Sequence, residues 1–195
     1  RSTLFPYTTL FRSLFIDCAR PEFKSKVVLD VRHKLYALHY HRREWFLDWV
    51  KRMVANDVKL IRGQTEVMQP LAAGAYALFC SAQPYTVQNM IDKGTTNLKI
   101  AVPGELLMES AEAAFIRKGS PRSHAAQLLA GWFASTEGQR LVDKEDYKGF
   151  PWVEGTFNAK LASGKKVLFC DPECATKAGD MSGEYLRALG LPVTQ

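Results

Sequence analysis

Short apolar runs alternate along this sequence with stretches whose apolar residues recur every three or four positions, and few folds accept that order. Val27-Val28-Leu29-Asp30-Val31 is one such run. Its lack of polar alternation predicts a strand buried on both faces, as in a parallel sheet. From 44 to 55, Trp45, Phe46, Trp49, Val50 and Met53 fall on one side and Asp48, Lys51 and Arg52 on the other, which predicts an amphipathic helix. Val58-Lys59-Leu60-Ile61 reads as a second strand. Arg62-Gly63-Gln64-Thr65 turns into a helix that stops at Gly74 and that Pro70 should shorten or kink. Tyr76 to Cys80 reads as a third strand, and a helix through Ile91 stops at Gly94. The order is that of an α/β fold with a mostly parallel sheet.

The second half follows the same grammar less clearly. Leu98 to Val102 is expected as a fourth strand and Ala113 to Ile116 as a weaker fifth. Ser120-Pro121 has the pattern of a helix cap followed by proline at the first helical position. Behind it Ala125, Leu128, Leu129 and Trp132 stand at core spacing, and Ser135 can cap a further helix. Lys148 to Thr156 is turn-rich. Val167-Leu168-Phe169-Cys170 is the last expected strand. Asp171-Pro172 then opens a final helix with Ala178, Met181, Tyr185 and Leu189 on one face and Gly190 and Pro192 at its end. Gly179 and Gly183 each cost such a helix about 1 kcal/mol, so it should depend on docking.

Composition removes whole classes. Of 195 residues 47% are hydrophobic, which excludes a disordered chain, and four cysteines are too few for a disulfide-dense scaffold. No apolar run reaches the roughly 20 residues of a membrane span. Residues 1–13 resemble the translation of a sequencing-library adapter and are set apart as non-native. On that reading the true start has been cut away. Residues 14–62 carry 11 basic and 6 acidic side chains, 63–109 carry 2 and 4, and 110–195 carry 11 and 10. The basic excess is local and interleaved with acids on a helix whose other face is core. It therefore reads as a solvated face rather than a nucleic-acid surface.

Catalytic patterns are absent from the sequence: there is no Gly-x-Ser-x-Gly, no His-Glu-x-x-His and no phosphate-binding glycine loop. His33, His39 and His41 invite a metal reading, and with a cysteine they would make a small metal-dependent enzyme. Positions 39 and 41 point to different sides of a helix, however, and no carboxylate or cysteine stands at ligand spacing, so surface histidines are expected. Cys18 and Cys80 read as buried apolar residues. Cys170 and Cys174 can bridge only if the following helix begins late. What remains is a set of polar turns at strand ends: Asp30 to Lys34, Arg62 to Glu66, and Ser81 to Tyr85. In open parallel sheets ligands sit beyond the carboxyl ends of the strands, where helix-opening amides can hold an anion. Arg32, His33, Gln64, Thr65, Ser81, Gln83 and Tyr85 are thus candidate binding residues, with helix capping as the plain alternative for Thr65.

The run from Val58 to Gly74, together with Ala125-Ala126-Gln127-Leu128-Leu129 and Ser135-Thr136-Glu137-Gly138-Gln139, resembles the solute-binding proteins of ABC importers, in the group that includes the ferric-iron binders. The resemblance implies a type II periplasmic binding fold: residues 14–100 in the second lobe, 101–150 in the first, and 151–195 returning to the second. It implies a monomer in the periplasm that captures a small polar or anionic solute, without catalysis or cofactor, and delivers it to a permease in the inner membrane. Ferric binders of this group place two adjacent tyrosines after the third strand; this chain has Gln83-Pro84-Tyr85, with one. A polar or anionic solute held by Arg32 is therefore the expectation, ahead of ferric iron. The effector-binding half of a transcription regulator, which uses a similar fold, is the alternative of another class.

Overall fold

A computed structural model describes residues 15–108 and 116–193. It is a mixed α/β structure that divides into two compact units, residues up to 110 together with 167–195, and residues 111–166. The boundaries drawn from sequence, at 100 and 150, differ from these. Residues 1–13 and nearly all of the strand expected at 113–116 lie outside the described residues.

The first unit opens with a 3-10 turn over Phe15–Ala19. Then come β1 (Val27–Asp30), α1 (Tyr36–His41), α2 (Arg43–Ala55), β2 (Lys59–Ile61), α3 (Thr65–Ala72), β3 (Leu78–Phe79), α4 (Pro84–Asp92) and β4 (Glu105–Met108). β1 pairs in parallel with both of its neighbours, giving the order β2-β1-β3, with Leu29 opposite Leu60 and Val28 opposite Phe79. All four residues of β1 are buried, because helices cover both faces of this central strand. Val27 and Leu29 enter a core with Phe46, Trp49, Val50 and Met53 of α2. Val28 points the other way, toward Val67 and Met68 of α3, Val87 of α4 and Leu98. The unbroken apolar run at 27–29 is the direct consequence of that double cover. Pro70 lies inside α3, and the helix ends two residues beyond it, as its missing N–H leads one to expect. The stretch expected as a strand at 98–102 is not one. Leu98 instead closes the second core, and the strand begins at Glu105.

In the second unit α5 (Ser123–Ala134), α6 (Thr136–Asp146) and α7 (Phe157–Ala162) are held largely by polar pins. Ser135 caps α6, accepting from the Gly138 amide at 3.1 Å while its hydroxyl donates to the Trp132 carbonyl at 2.6 Å. Buried Gln139 donates to the Phe133 carbonyl at 2.7 Å and accepts from the Phe150 amide at 2.9 Å. The Asp143 carboxylate receives the Phe157 amide at 2.9 Å and the Gly149 amide at 3.3 Å. Thr156 caps α7. Two expectations fail here. α5 starts at Ser123 rather than at Pro121, because Arg122 stands at the cap in a non-helical conformation, with φ of −124° and ψ of 38°. Moreover, none of its residues is buried, so the spacing of Ala125, Leu128, Leu129 and Trp132 does not mark a core within the described residues.

The chain returns through β5 (Lys166–Phe169), which forms a two-stranded sheet with β4, and then α8 (Pro172–Thr176) and α9 (Ala178–Ala188). The single helix expected after Asp171 is broken at Lys177 into these two. Met181, Tyr185 and Leu189 are buried as predicted, against α1 and α2. Asp171 caps α8 through the Cys174 amide at 2.9 Å. Because α8 begins only at Pro172, Cys170 and Cys174 stand 5.1 Å apart at Cα and are joined. Cys18 and Cys80 are joined as well, 6.2 Å apart at Cα. They are not the independent apolar residues expected. The N-terminal 3-10 turn folds back onto the end of β3, a proximity that a separation of 62 residues hides from sequence spacing.

Candidate functional site

The three polar turns converge at the carboxyl ends of β1, β2 and β3, linked by a continuous set of hydrogen bonds. Asp30, the last residue of β1, is fully buried, and each of its polar groups is engaged. Its N–H donates to the Ser81 hydroxyl at 2.9 Å, its carbonyl accepts from Tyr185 at 2.6 Å, and its carboxylate holds Arg32. Arg32 reaches that carboxylate through its backbone N–H at 2.9 Å and through Nη2 at 2.7 Å, with Nε contacting both oxygens at 3.2 Å. The Arg32 side chain is 46% exposed, so the guanidinium is fixed in direction by Asp30 and still partly in contact with solvent. Its charge is partnered by a buried carboxylate, and the edge is accordingly less cationic than an isolated arginine would make it.

Gln64 extends from the end of β2 across the end of β1 to the turn after β3. Its amide donates to the Ser81 carbonyl at 3.2 Å, and its Oε1 accepts from the Gln83 amide at 2.8 Å. Tyr85 in turn donates to the Gln83 side chain. Gly63, with φ of +118°, makes the turn that brings Gln64 inward, and Arg32 lies over it. Such a φ is open to glycine at little cost. Thr65 is the exposed first residue of α3 and does not cap it; the cap position belongs to Gln64. Neither α3 nor α4 has a side-chain cap, whereas Ser135, Thr156 and Asp171 cap α6, α7 and α8. The opening turns are instead closed by backbone: the Val67 amide donates to the Gln64 carbonyl at 3.3 Å and the Thr86 amide to the Gln83 carbonyl at 3.0 Å, while Pro84 at the start of α4 has no N–H to satisfy.

The candidate residues thus separate by what they touch. Arg32, Thr65, Gln83 and Tyr85 remain accessible to some degree, while Gln64 and Ser81 are buried and hold the turns in place. His33 belongs elsewhere. It is buried and stacked among Tyr36, Phe46 and Tyr185, and its Nε2 faces His39 Nδ1 at 2.9 Å. His39, expected at the surface, is fully buried, since α1 turns that side onto α2 and α9. His41 alone behaves as expected: exposed, with Nε2 at 3.1 Å from the Phe169 carbonyl. Among the described residues no three His, Cys, Asp or Glu side chains are grouped to hold a metal ion, and all four cysteines are in disulfides. The metal-enzyme reading named a cysteine beside His39 and His41, and the cysteines here are paired with one another.

Sequence reasoning missed Asp30 as the hub and Cys18–Cys80 as a brace directly behind Ser81. The one legible signal for Asp30 was a lone carboxylate ending an otherwise apolar strand, a position that burial permits only with a partner. Comparison with protein-family models, with curated proteins and with solved structures found no match.

Proposed function

We propose that this chain captures a small polar solute at the carboxyl edge of its parallel sheet, as the binding component of an import system with a type II periplasmic binding fold, and that it passes the solute unchanged to a membrane permease. One observation carries the reading. In the strand order β2-β1-β3 the chain adds β2 on one side of β1 and then crosses to add β3 on the other, so the strand order reverses beside β1, the kind of topological switch at which open parallel sheets bind ligands. Arg32, the uncapped starts of α3 and α4, and the Gln83–Tyr85 pair all stand at that reversal. The directed guanidinium of Arg32 and the polar Gln83–Tyr85 pair favour a solute that presents carboxylate or hydroxyl oxygens. Because Asp30 balances Arg32, polar and zwitterionic solutes suit the edge better than strongly anionic ones. Ferric iron is disfavoured: Tyr85 is a single phenol at this edge, and it is hydrogen-bonded to Gln83.

Two disulfides support an extracytoplasmic setting and so favour transport over the cytoplasmic regulator. The test is a thermal-shift and calorimetric screen of the chain against small carboxylates, amino acids, polyols and inorganic anions. A hit should weaken by about tenfold in Arg32→Ala, the size of one charge-assisted hydrogen bond, measured at a temperature where the variant is still folded, since the buried Asp30 carboxylate loses its partner and stability falls as well. An affinity that Arg32→Ala and Tyr85→Phe both leave intact would remove this edge as the site.

A further inference from the structure

Behind the binding edge, groups of the first unit form a single file that runs from the interior to the surface: the Leu35 N–H, buried His33 and His39, partly exposed Glu184 and exposed Arg43. The Leu35 amide donates to His33 Nδ1 at 3.2 Å, which leaves the His33 proton on Nε2. That proton points at His39 Nδ1, 2.9 Å away, so His39 carries its own proton on Nε2, directed at Glu184 Oε2 at 3.0 Å. Glu184 is gripped from outside by Arg43, whose Nη2 lies 2.6 Å and Nε 2.9 Å from the two carboxylate oxygens. Every tautomer is set by its neighbour. A further proton has no place in the file: wherever it enters, two N–H groups face each other, either between the imidazoles or at Leu35.

We propose that this file is an acid-sensitive latch that fastens α9 to α1 and α2 at neutral pH and lets α9 detach in mildly acidic solution. α9 is the moving part because Glu184 and Tyr185 both lie on it, and its other polar tie to α1 is Ser182 with Tyr36, at 2.7 Å. The charged and titratable groups around the file support the direction. Arg43 holds Glu184 below the ordinary carboxylate range, so the acid end stays ionised while the imidazoles change. Burial pushes His33 down to about 3, and burial together with Arg43 lowers His39, against the upward pull of Glu184. Tyr36 and Tyr185 stack on His33; burial raises Tyr185, so it stays neutral throughout. Lys177 and Asp180 line the open cleft of about 280 Å³ outside His39, with Tyr40 and Met181. Buried Asp30, paired with Arg32, accepts the Tyr185 hydroxyl at its carbonyl. Both histidines are thus neutral when the latch is closed and take up protons when it opens. Stability is complete above the free-histidine value of 6.5 and falls with pH toward 3.

For one histidine held neutral, the open fraction of α9 should rise about 25-fold between pH 7 and pH 5, and further if both contribute. The test is amide hydrogen exchange of the full chain at both pH values, corrected for intrinsic rates, in wild type and in the double variant His33→Asn with His39→Gln. Faster α9 opening at pH 5 in wild type, with less than about a threefold change in the variant, is the expected result. Equal pH dependence in both would overturn the latch. If the variant does not fold, titration of the wild-type imidazole Cε1 protons decides: ordinary values near 6.5 with α9 still protected would overturn it, and histidines neutral to below pH 5 would support it. Opening would also break the Tyr185–Asp30 bond behind Arg32, so acid would loosen solute capture. That consequence rests on the binding reading, whereas the exchange result stands or falls without it.

Discussion

Asp30 shows how one residue can organise a strand end. Its backbone and carboxylate are each satisfied by a different element, so a carboxylate at full burial costs little, and the same bonds aim Arg32 outward. Gly138 is the corresponding residue of the second unit. A Cβ there would fall 2.1 Å from the Trp132 carbonyl oxygen and 2.9 Å from the Phe133 Cα, both backbone atoms that cannot step aside. The Ser-Thr-Glu-Gly-Gln stretch is thereby explained as a tight corner between α5 and α6: serine caps, glycine lets the helices meet, and glutamine pins both flanks. Gly138→Ala should destabilise this unit by about 3 kcal/mol, the scale of overpacking. Gly131→Ala, on α5 with open space around it, should add about 0.5–1 kcal/mol. Urea unfolding followed through tryptophan fluorescence separates the two, and equal effects would refute the corner argument.

Among the elements, the short ones depend most on covalent support. The 3-10 turn at Phe15–Ala19 and the two-residue β3 have little hydrogen bonding of their own, and Cys18–Cys80 ties them together. The Trp49 indole adds a bond to the Phe15 carbonyl at 2.7 Å. On the loop-entropy model, closing a loop of this length contributes about 4 kcal/mol and the short Cys170–Cys174 loop about 2 kcal/mol. Denaturation of Cys18→Ser/Cys80→Ser and of Cys170→Ser/Cys174→Ser, each against wild type, should show that order. A larger loss from the second pair would contradict it. α9 is fastened differently, by Met181, Tyr185 and Leu189 in the core and by Glu184 on the histidine file. Its two glycines are therefore affordable.

At the scale of the molecule the two units are built unlike each other. The first has apolar clusters on both faces of its sheet, while among the described residues of the second Val153 is the one buried hydrophobic side chain. The second unit exposes Leu128 at 78%, Leu129 at 53%, Phe133 at 44% and Leu141 at 45%. Apolar side chains so exposed, on neighbouring helices, exceed the scattered ones normal for a surface and invite association. The purified chain should bind a hydrophobic dye and self-associate, and Leu128→Asp with Leu129→Asp should reduce both. A monomer by sedimentation that binds no dye would contradict this.

The sequence by itself determined β1, α2, β2, α3 and the last strand, because burial on two faces or on one stripe leaves a local period that no distant contact has to supply. It also located three turns at strand ends. That Gln64 and Ser81 brace while Arg32 points out was decided only by the tertiary structure, which brings residues 30, 64 and 81 within hydrogen-bonding reach. The same holds for the burial of His39 against Glu184, 145 positions away, and for the pairing of Cys18 with Cys80. Periodicity records which way a side chain faces along its own element, whereas the identity of its partner depends on the path of the chain between elements. That path leaves no local mark.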